Sequence, residues 1–358
     1  MIGGRVYLIL RLLAYIKFIL FVVLAFAIVF STSINRGVII SNGQQTSPKQ
    51  ENVFVMYAAS LTKPFEDSLG PSFEKKTGYS YMGEGRGSVQ IANMIIDGQR
   101  KPDVFVSAGT NPIIMLMMNN SGNIGGKQQQ QQQQQQPITQ WLVKFASTEM
   151  VIAYLPTSKF HLNLDKAKKG EIPWYQVLSQ PGFKFGRTDP ELDPKGYYMV
   201  MAAKLANIYY KDQNIKQRII GQDRNPTQMF PEETLTTTLE TGQLDAISAY
   251  KHEAIAKGLS YITLPPQINL GDPNYSDLYK KVSYTFSTGK VVYGEPIYFS
   301  VTIPEATVKN LDGAVSFVTF LLSTDAHHIL ESQGLNYIKA IAGGKVDKIP
   351  TAVRSMIL

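Results

Sequence analysis

"VFVMYAASLTKPFEDSLGPSFEKKTGYSYMGEGRGSVQIANMIIDGQRKPDVFVSAG" (residues 53–109) alternates strand and helix patterns in an unbroken series. "VFVMYAAS" (53–60) is a short apolar run of buried-strand type, and 61–78 carries Phe65, Leu69 and Phe73 at helical spacing. Gly70-Pro71 is expected to break that helix. "YSYMGEG" (79–85) predicts a second strand, and 88–98 a second helix with Val89, Ile91, Ala92, Ile95 and Ile96 on its apolar face. "DVFVSAG" (103–109) predicts a third strand, followed by a short helix over "NPIIMLMMNN" (111–120). Near-continuous apolar strands separated by helices imply a parallel α/β sheet.

The pattern resumes after an interruption. Nine consecutive glutamines (128–136), flanked by Lys127 and Pro137, read as a solvated surface loop over 127–137. "WLVKFASTEMVIAYLP" (141–156) holds two strand-like runs, "PWYQVLSQPG" (173–182) a short helix, and "FKFGRTDP" (183–190) a strand entering a loop. "KGYYMVMAAKLANIYYKD" (195–212) predicts a long helix so apolar that it must be buried. "EETLTTTLETGQLDAISAY" (232–250) reads as helix, glycine turn and strand, and "EPIYFSVTIP" (295–304) as another strand. Two closing helices over 311–324 and 325–334 lead into a carboxyl-terminal stretch expected to be helical. The architecture implied is two α/β units joined by more than one pass of the chain.

At 358 residues, 44% hydrophobic and 18% charged, the chain is globular with room for about two domains. It has no cysteine, which excludes disulfides, thiol catalysis, Cys-ligated metal and a lipid-modified cysteine anchor. The formal charge of +7 is scattered rather than striped, so it suits acidic surroundings, anionic lipid or an anionic ligand and does not predict nucleic-acid binding. At the amino terminus, Arg5, Arg11 and Lys17 precede an apolar run from Phe18 to Phe30. Residues 1–30 are therefore expected to act as a cleaved signal peptide or a retained membrane anchor, and the Ser-, Asn- and Gln-rich 31–51 as a tether. Positive charge before the apolar run and polar residues after it place the remainder outside the cytoplasm. Export would open two N-x-S sequons, at Asn119 and Asn274, to glycans.

Open α/β sheets bind ligands at the carboxyl ends of their strands. Three loops fall there: "AASL" (58–61), "GEGRGSV" (83–89) and "SAGTNP" (107–112), each with small residues, backbone N–H groups and at least one hydroxyl. A helix start with unpaired donors and a positive dipole end favours an oxyanion, so the second loop is expected to hold a small tetrahedral anion through Ser88 and backbone amides, or else to be a turn capped by Ser88. "GEGRGS" is not a nucleotide motif, and no P-loop, G-x-S-x-G or H-E-x-x-H occurs. His161, His252, His327 and His328 lack ligand spacing and are read as partly solvated structural residues. No catalytic residues, metal site or cofactor is legible. In "GRTDPELDPKGYYMV" (186–200) two Asp-Pro steps force turns, and Asp193 is either a helix cap or a carboxylate facing the space between the units.

These segments together resemble the archaeal-type molybdate/tungstate-binding proteins of ABC importers. "YAASL" (57–61), Gly87–Ser88, "VSAGT" (106–110), "TEMVIAY" (148–154), "DPKGYY" (193–198) and "PIYFSVTIP" (296–304) match that family's motifs in order, from about Val53 to about Gly334. The resemblance implies a two-lobed periplasmic-binding-protein-like fold of type II, with a hinge of two crossing strands and an oxyanion closed between the lobes. It implies lobe one over 52–148 plus 298–358 and lobe two over 149–297, with "TEMVIAY" and "PIYFSVT" as the crossings. Carried over by residue, Ser60 with its neighbour Ala59, and Gly87 with Ser88, would contribute from lobe one; Asp193, Tyr197 and Tyr250 would close from lobe two. The implied role is an extracytoplasmic, monomeric binding protein that delivers molybdate or tungstate to an ABC permease, without cofactor or metal and without enzymatic activity. The family's octahedral type uses a second carboxylate where this chain has Ala249, and two are needed to complete six oxygens around a Mo or W centre. Glu253 is a candidate substitute. That departure leaves sulfate, a sulfonate, phosphate or another small anion as alternative ligands. An exported enzyme for phospho- or sulfo-substrates and a surface or sensory module on the same fold are the alternative roles.

Overall fold

In the computed structural model, residues 51–118 and 137–357 are described. The expected signal or anchor, nearly all of the tether, the polyglutamine run and Asn119 lie outside them. β1 (Asn52–Ala58), β2 (Ser80–Arg86) and β3 (Val104–Ala108) form the parallel part of a six-stranded sheet of order β13-β4-β12-β3-β1-β2. The sheet is mixed, not wholly parallel. β12 (Tyr298–Thr302) runs antiparallel between β3 and β4 (Trp141–Ser147), and β13 (Asn336–Gly344) adds antiparallel to the edge of β4. β13 occupies part of the stretch expected to be helical; its half-buried edge position leaves too little apolar alternation for a strand signature.

The helix after β1 does not break at Gly70-Pro71. Pro71 has no N–H, and the turn before it widens into a π-type turn over Phe65–Leu69, with the Gly70 amide donating to the Phe65 carbonyl. Helix α1 (Gly70–Thr77) then continues with the proline in its first turn, where a missing donor costs little. Gly70 is needed there because a Cβ would lie 2.4 Å from the Tyr81 ring. Helices α2 (Ser88–Ile96) and α3 (Asn111–Met118) cover one face of the sheet, packing Ile91, Ile95, Ile113 and Leu116 on Met56 and Phe105. Later in the chain, Phe317 on a carboxyl-terminal helix (Leu311–Leu321) covers the other face against Phe65, Phe73 and Tyr81.

A second sheet, of order β7-β6-β8-β5-β9, comprises β5 (Met150–Tyr154), β6 (Phe185–Thr188), β7 (Met229–Phe230), β8 (Ala246–Tyr250) and β9 (Ser260–Thr263). β6 runs parallel to β8, and β5 antiparallel to both β8 and β9. β10 (Ser283–Thr285) and β11 (Val291–Tyr293) pair as a separate ribbon. The chain passes from the first sheet to the second between β4 and β5, at Thr148–Glu149, and returns between β11 and β12. Each sheet with its helices forms one lobe of a type II, two-lobed α/β fold.

The long apolar helix forms as expected, as α4 (Pro194–Tyr209), with Asp193 at its N-cap and Pro194 inside the first turn. It is buried on nearly every side through its first three turns, which is why its sequence shows no polar face. Gly196 sits where that first turn presses on the end of β6: a Cβ there would lie 2.6 Å from both the Thr188 carbonyl oxygen and the Pro190 nitrogen. Those are backbone atoms and cannot rotate away. Gly196→Ala is expected to lower unfolding stability by about 1–3 kcal/mol, read from urea denaturation midpoints, by the overpacking it forces.

Candidate functional site

The three loops at the ends of β1, β2 and β3 all meet lobe two. After β1 the chain tightens into a 3-10 turn, Ala59–Leu61, held by Thr62 Oγ1 donating to the Ala59 carbonyl (2.8 Å). Ser60 is buried in that turn, and its Oγ has no partner among the described residues. After β2, Gly87 rather than Ser88 is the N-cap of α2, and Ser88 Oγ accepts from the Ala108 amide at the end of β3 (3.1 Å). Ser88 is therefore a brace between two loops and not a cap, with its hydroxyl proton still free to be donated. After β3, Gly109 turns with φ +79°, and a Cβ there would meet the Tyr198 hydroxyl at 2.8 Å and the Tyr197 hydroxyl at 3.4 Å.

Lobe two brings the start of α4 to these loops. Asp193 Oδ1 accepts from the Lys195 amide (2.9 Å) and from Thr188 Oγ1 (3.0 Å), so the side chain is a cap and also lines the space between the lobes. The Leu192 carbonyl accepts the Gln90 amide of α2 (2.9 Å), and a Cβ on Gly87 would lie 2.6 Å from that same oxygen. Glycine at 87 is what lets the two lobes touch. Gln90 thus serves lobe two, and the amides of Ser88 and Val89 lie ahead of the first intrahelical bond, from Ile91 to Gly87. Arg86 turns aside and pairs with Glu84 (2.7 Å).

Tyr197 on α4 and Tyr250 at the end of β8 are fully buried, and among the described residues neither hydroxyl makes a hydrogen bond of good geometry, the Tyr198 hydroxyl standing beside that of Tyr197. Ser60, Tyr197 and Tyr250 each lie beside the opposite lobe: Ser60 through its carbonyl at His252, Tyr197 with its hydroxyl near Gly109, and Tyr250 with its ring against Phe299. Burying a hydroxyl without a partner costs about 1–3 kcal/mol, so hydroxyls left free beside the opposite lobe are available to an acceptor that enters between the lobes. Tyr198, packed on Tyr197 at 4.7 Å between ring centres, belongs to the same cluster. A cavity of about 450 Å³ opens beside it, between Arg86, Gly87 and Gln90 on one side and Leu192, Asp193 and Glu232 on the other. None of the three hydroxyls lines that cavity, and its wall also carries the carboxylates of Asp189 and Glu233. The donors, not the open volume, are the chemistry an anion needs.

Behind Asp193 lies a buried ionic cluster. Lys195 Nζ sits between Glu232 (2.7 Å) and Glu253 (2.8 Å), and Lys257 pairs with the other oxygen of Glu253 (2.9 Å). Glu253 is therefore committed to two ammonium groups and does not substitute as a ligand. Ala249, at the position of the family's second carboxylate, packs with Val151, Ala153, Leu235 and Leu239 in an apolar cluster. A clue to this arrangement was legible: Lys195 is the one charge in the buried first turns of α4. His252 departs from expectation: it is fully buried between the lobes, not partly solvated. Among the described residues, no group of three or more His, Asp or Glu side chains could hold a metal ion.

Burial pushes Asp193 up to about 6, against the pull of Lys195, and pushes Glu232 up to about 8. Burial lowers His252 to about 4, while Lys195 and Lys257 overcome burial and hold Glu253 well below the usual carboxylate range. An acid whose pKa is raised in the fold binds its proton more tightly folded than unfolded, so its contribution to stability falls as pH rises through that value. A histidine lowered in the fold acts oppositely, but only below about 6.5. Between about pH 6.5 and the Glu232 value of about 8, Glu232 dominates. Thermal melts should fall across that window, and Glu232→Gln should flatten the decline.

Residues 53–336 match the family described as bacterial extracellular solute-binding protein. A molybdate/tungstate-binding protein of Pyrococcus abyssi is 30% identical over 87% of this chain and 92% of its own length. A solute-binding protein of Petrotoga mobilis is 30% identical over 85% of this chain and 89% of its own. The fold is shared with the sulfate-binding protein SubI of Mycobacterium tuberculosis (TM-score 0.52, 14% identity, covering 85% of this chain and 89% of that one). It is shared as well with the periplasmic molybdate-binding protein of Azotobacter vinelandii (TM-score 0.50, 15% identity, covering 80% and 98%). With the match spanning both lobes and both passes between them, the chain belongs to the bacterial extracellular solute-binding protein family.

Proposed function

We propose that this chain is the binding protein of an ABC importer and captures a small tetrahedral oxyanion, molybdate or tungstate first, between its lobes. The observation that carries the reading is the set of buried hydroxyls without protein partners at the junction of the lobes: Ser60, Tyr197 and Tyr250. The names of the relatives supply the choice of anion. A desolvated dianion ringed by hydroxyl and amide donors gains about 1.5–3 kcal/mol per charge-assisted hydrogen bond. Ser60 and Ser88, with the amides at the start of α2, act from lobe one, and Tyr197 and Tyr250 act from lobe two. Gly87 and Ala59 contribute backbone and close approach.

With Ala249 in an apolar cluster and Glu253 paired to two lysines, neither candidate position offers the second carboxylate of the octahedral type, so the anion is held as a tetrahedron by hydrogen bonds. Asp193 accepts bonds from its own turn, which lowers its conflict with a neighbouring dianion. The protein acts as a monomeric carrier without enzymatic activity and without a resident cofactor. It docks on a membrane permease at the outer face of the cytoplasmic membrane, and residues 1–30 export it as a signal peptide or hold it there as an anchor.

Isothermal titration with tungstate, molybdate, sulfate and phosphate tests the reading. Tungstate or molybdate should bind most tightly, and Ser60→Ala and Ser88→Ala should each weaken that binding at least about tenfold, the equivalent of one lost hydrogen bond. Absence of heat with all four anions would overturn it, and preference for sulfate or phosphate would reassign the cargo.

A further inference from the structure

His252 is the second residue of helix α5 (Lys251–Ala256) in lobe two, and its imidazole is fully buried. Each ring nitrogen has one neighbour at hydrogen-bond distance: Nε2 lies 3.2 Å from the Ser60 carbonyl oxygen, and Nδ1 lies 3.1 Å from Thr148 Oγ1. A carbonyl can only accept, so Nε2 carries the proton. Nδ1 then holds the lone pair and accepts from the Thr148 hydroxyl. The neutral ring in this one tautomer satisfies both partners, and burial keeps it neutral by lowering its pKa to about 4.

The partners come from four different parts of the molecule. Ser60 belongs to the first loop of lobe one and carries an orphaned Oγ. Thr148 lies in the first passage between the lobes. The ring stacks on Tyr250 (5.8 Å, 20° between planes), whose hydroxyl is also orphaned, and meets Phe299 edge-on (5.2 Å, 88°) on the strand that follows the second passage. One side chain therefore touches the first passage, the strand that follows the second, and a donor-bearing element of each lobe. Its bond to the Ser60 main chain leaves the Ser60 hydroxyl unengaged. A buried hydroxyl in a short 3-10 turn keeps a fixed aim only if the turn's backbone is held, and this carbonyl is the point at which lobe two holds it.

We propose that His252 is a positioning residue for cargo capture: by donating Nε2–H to the Ser60 carbonyl while accepting from Thr148, it aims Ser60 Oγ at the anion and ties that aim to the lobes' relative placement. The inference rests on the oxyanion reading and adds a residue that does not itself touch the anion. It requires His252 to act through Ser60, so the two must not be independent.

A double-mutant cycle on the full chain tests this with tungstate as the probe. His252→Phe keeps an aromatic ring and removes both hydrogen bonds. It should weaken tungstate binding about tenfold in the parent, but less than about twofold in a Ser60→Ala background. His252→Gln, whose amide can still donate to the carbonyl, should recover most of the loss. Independent losses that multiply in the double variant would overturn the proposal and leave His252 a core residue. Should His252→Phe fail to fold, Thr148→Val, which deletes the donor to Nδ1, enters the same cycle with the same two readings. Nitrogen-15 spectroscopy of the unliganded protein gives a second readout: the Nε2–H tautomer, unchanged from pH 5 to 8, is expected, and an Nδ1–H tautomer refutes the proposal. If the parent binds none of the anions, the oxyanion reading fails and this inference fails with it. If the parent binds and the losses multiply, this inference alone fails.

Discussion

The turn from Thr188 to Gly196 is the constraint on which the rest of the site depends. Asp193 accepts from the amide two residues on and from the Thr188 hydroxyl, which starts α4 at one defined place. That start sets Tyr197 and Tyr198 against the Gly109 loop and Lys195 against Glu232 and Glu253. It also fixes the Leu192 carbonyl within reach of the Gln90 amide in the opposite lobe. Gly196 and Gly87 are glycines for one reason seen twice: each faces a backbone atom too close for a Cβ.

Electrostatically, the site must reconcile an anionic cargo with carboxylates beside it. The resolution is internal pairing. Lys195 lies buried between two glutamates, and Lys257 takes the remaining oxygen of Glu253. A buried charge left unpaired is far more costly than a paired one, so the cluster stands or falls as a unit. Its consequence for ligand chemistry, on the reading proposed above, is that Glu232 and Glu253 are spent on protein cations and Asp193 on its own turn, and the cargo is left to neutral donors. Hydroxyls and amides carry no counter-charge to be desolvated, and their dipoles can be oriented before the anion arrives.

On the reading proposed above, closure would bring those donors to the anion from both sides. Ser60 and Ser88 stand on loops of one sheet, Tyr197 and Tyr250 on elements of the other, and among the described residues the chain passes between the sheets twice. His252 sits beside the first passage, the strand that follows the second and two of the donor elements, its ring stacked on Tyr250 and edge-to-face with Phe299. If His252 acts as proposed, such a position would convert the relative placement of two lobes into the placement of one hydroxyl.

Much of this was legible in the chain itself. Strand–helix alternation over 53–109, the apolar burial of α4, the Asp193 cap and the small-residue loops at strand ends follow from local rules of periodicity, capping and turn chemistry, which depend on near neighbours in sequence. The antiparallel edge strand β13, the continuous helix through Gly70-Pro71, the bracing role of Ser88 and the buried His252 did not follow. Each depends on a partner far along the chain: β4 for β13, Tyr81 for Gly70, Ala108 for Ser88, and Ser60 with Thr148 for His252. The sequence by itself determined which segments become strands, helices and donor-bearing turns, because those choices are made by the backbone and its immediate side chains. Only the tertiary structure decided which donors stay free and which are used up, because a hydrogen bond is satisfied by whatever the fold brings within about 3 Å.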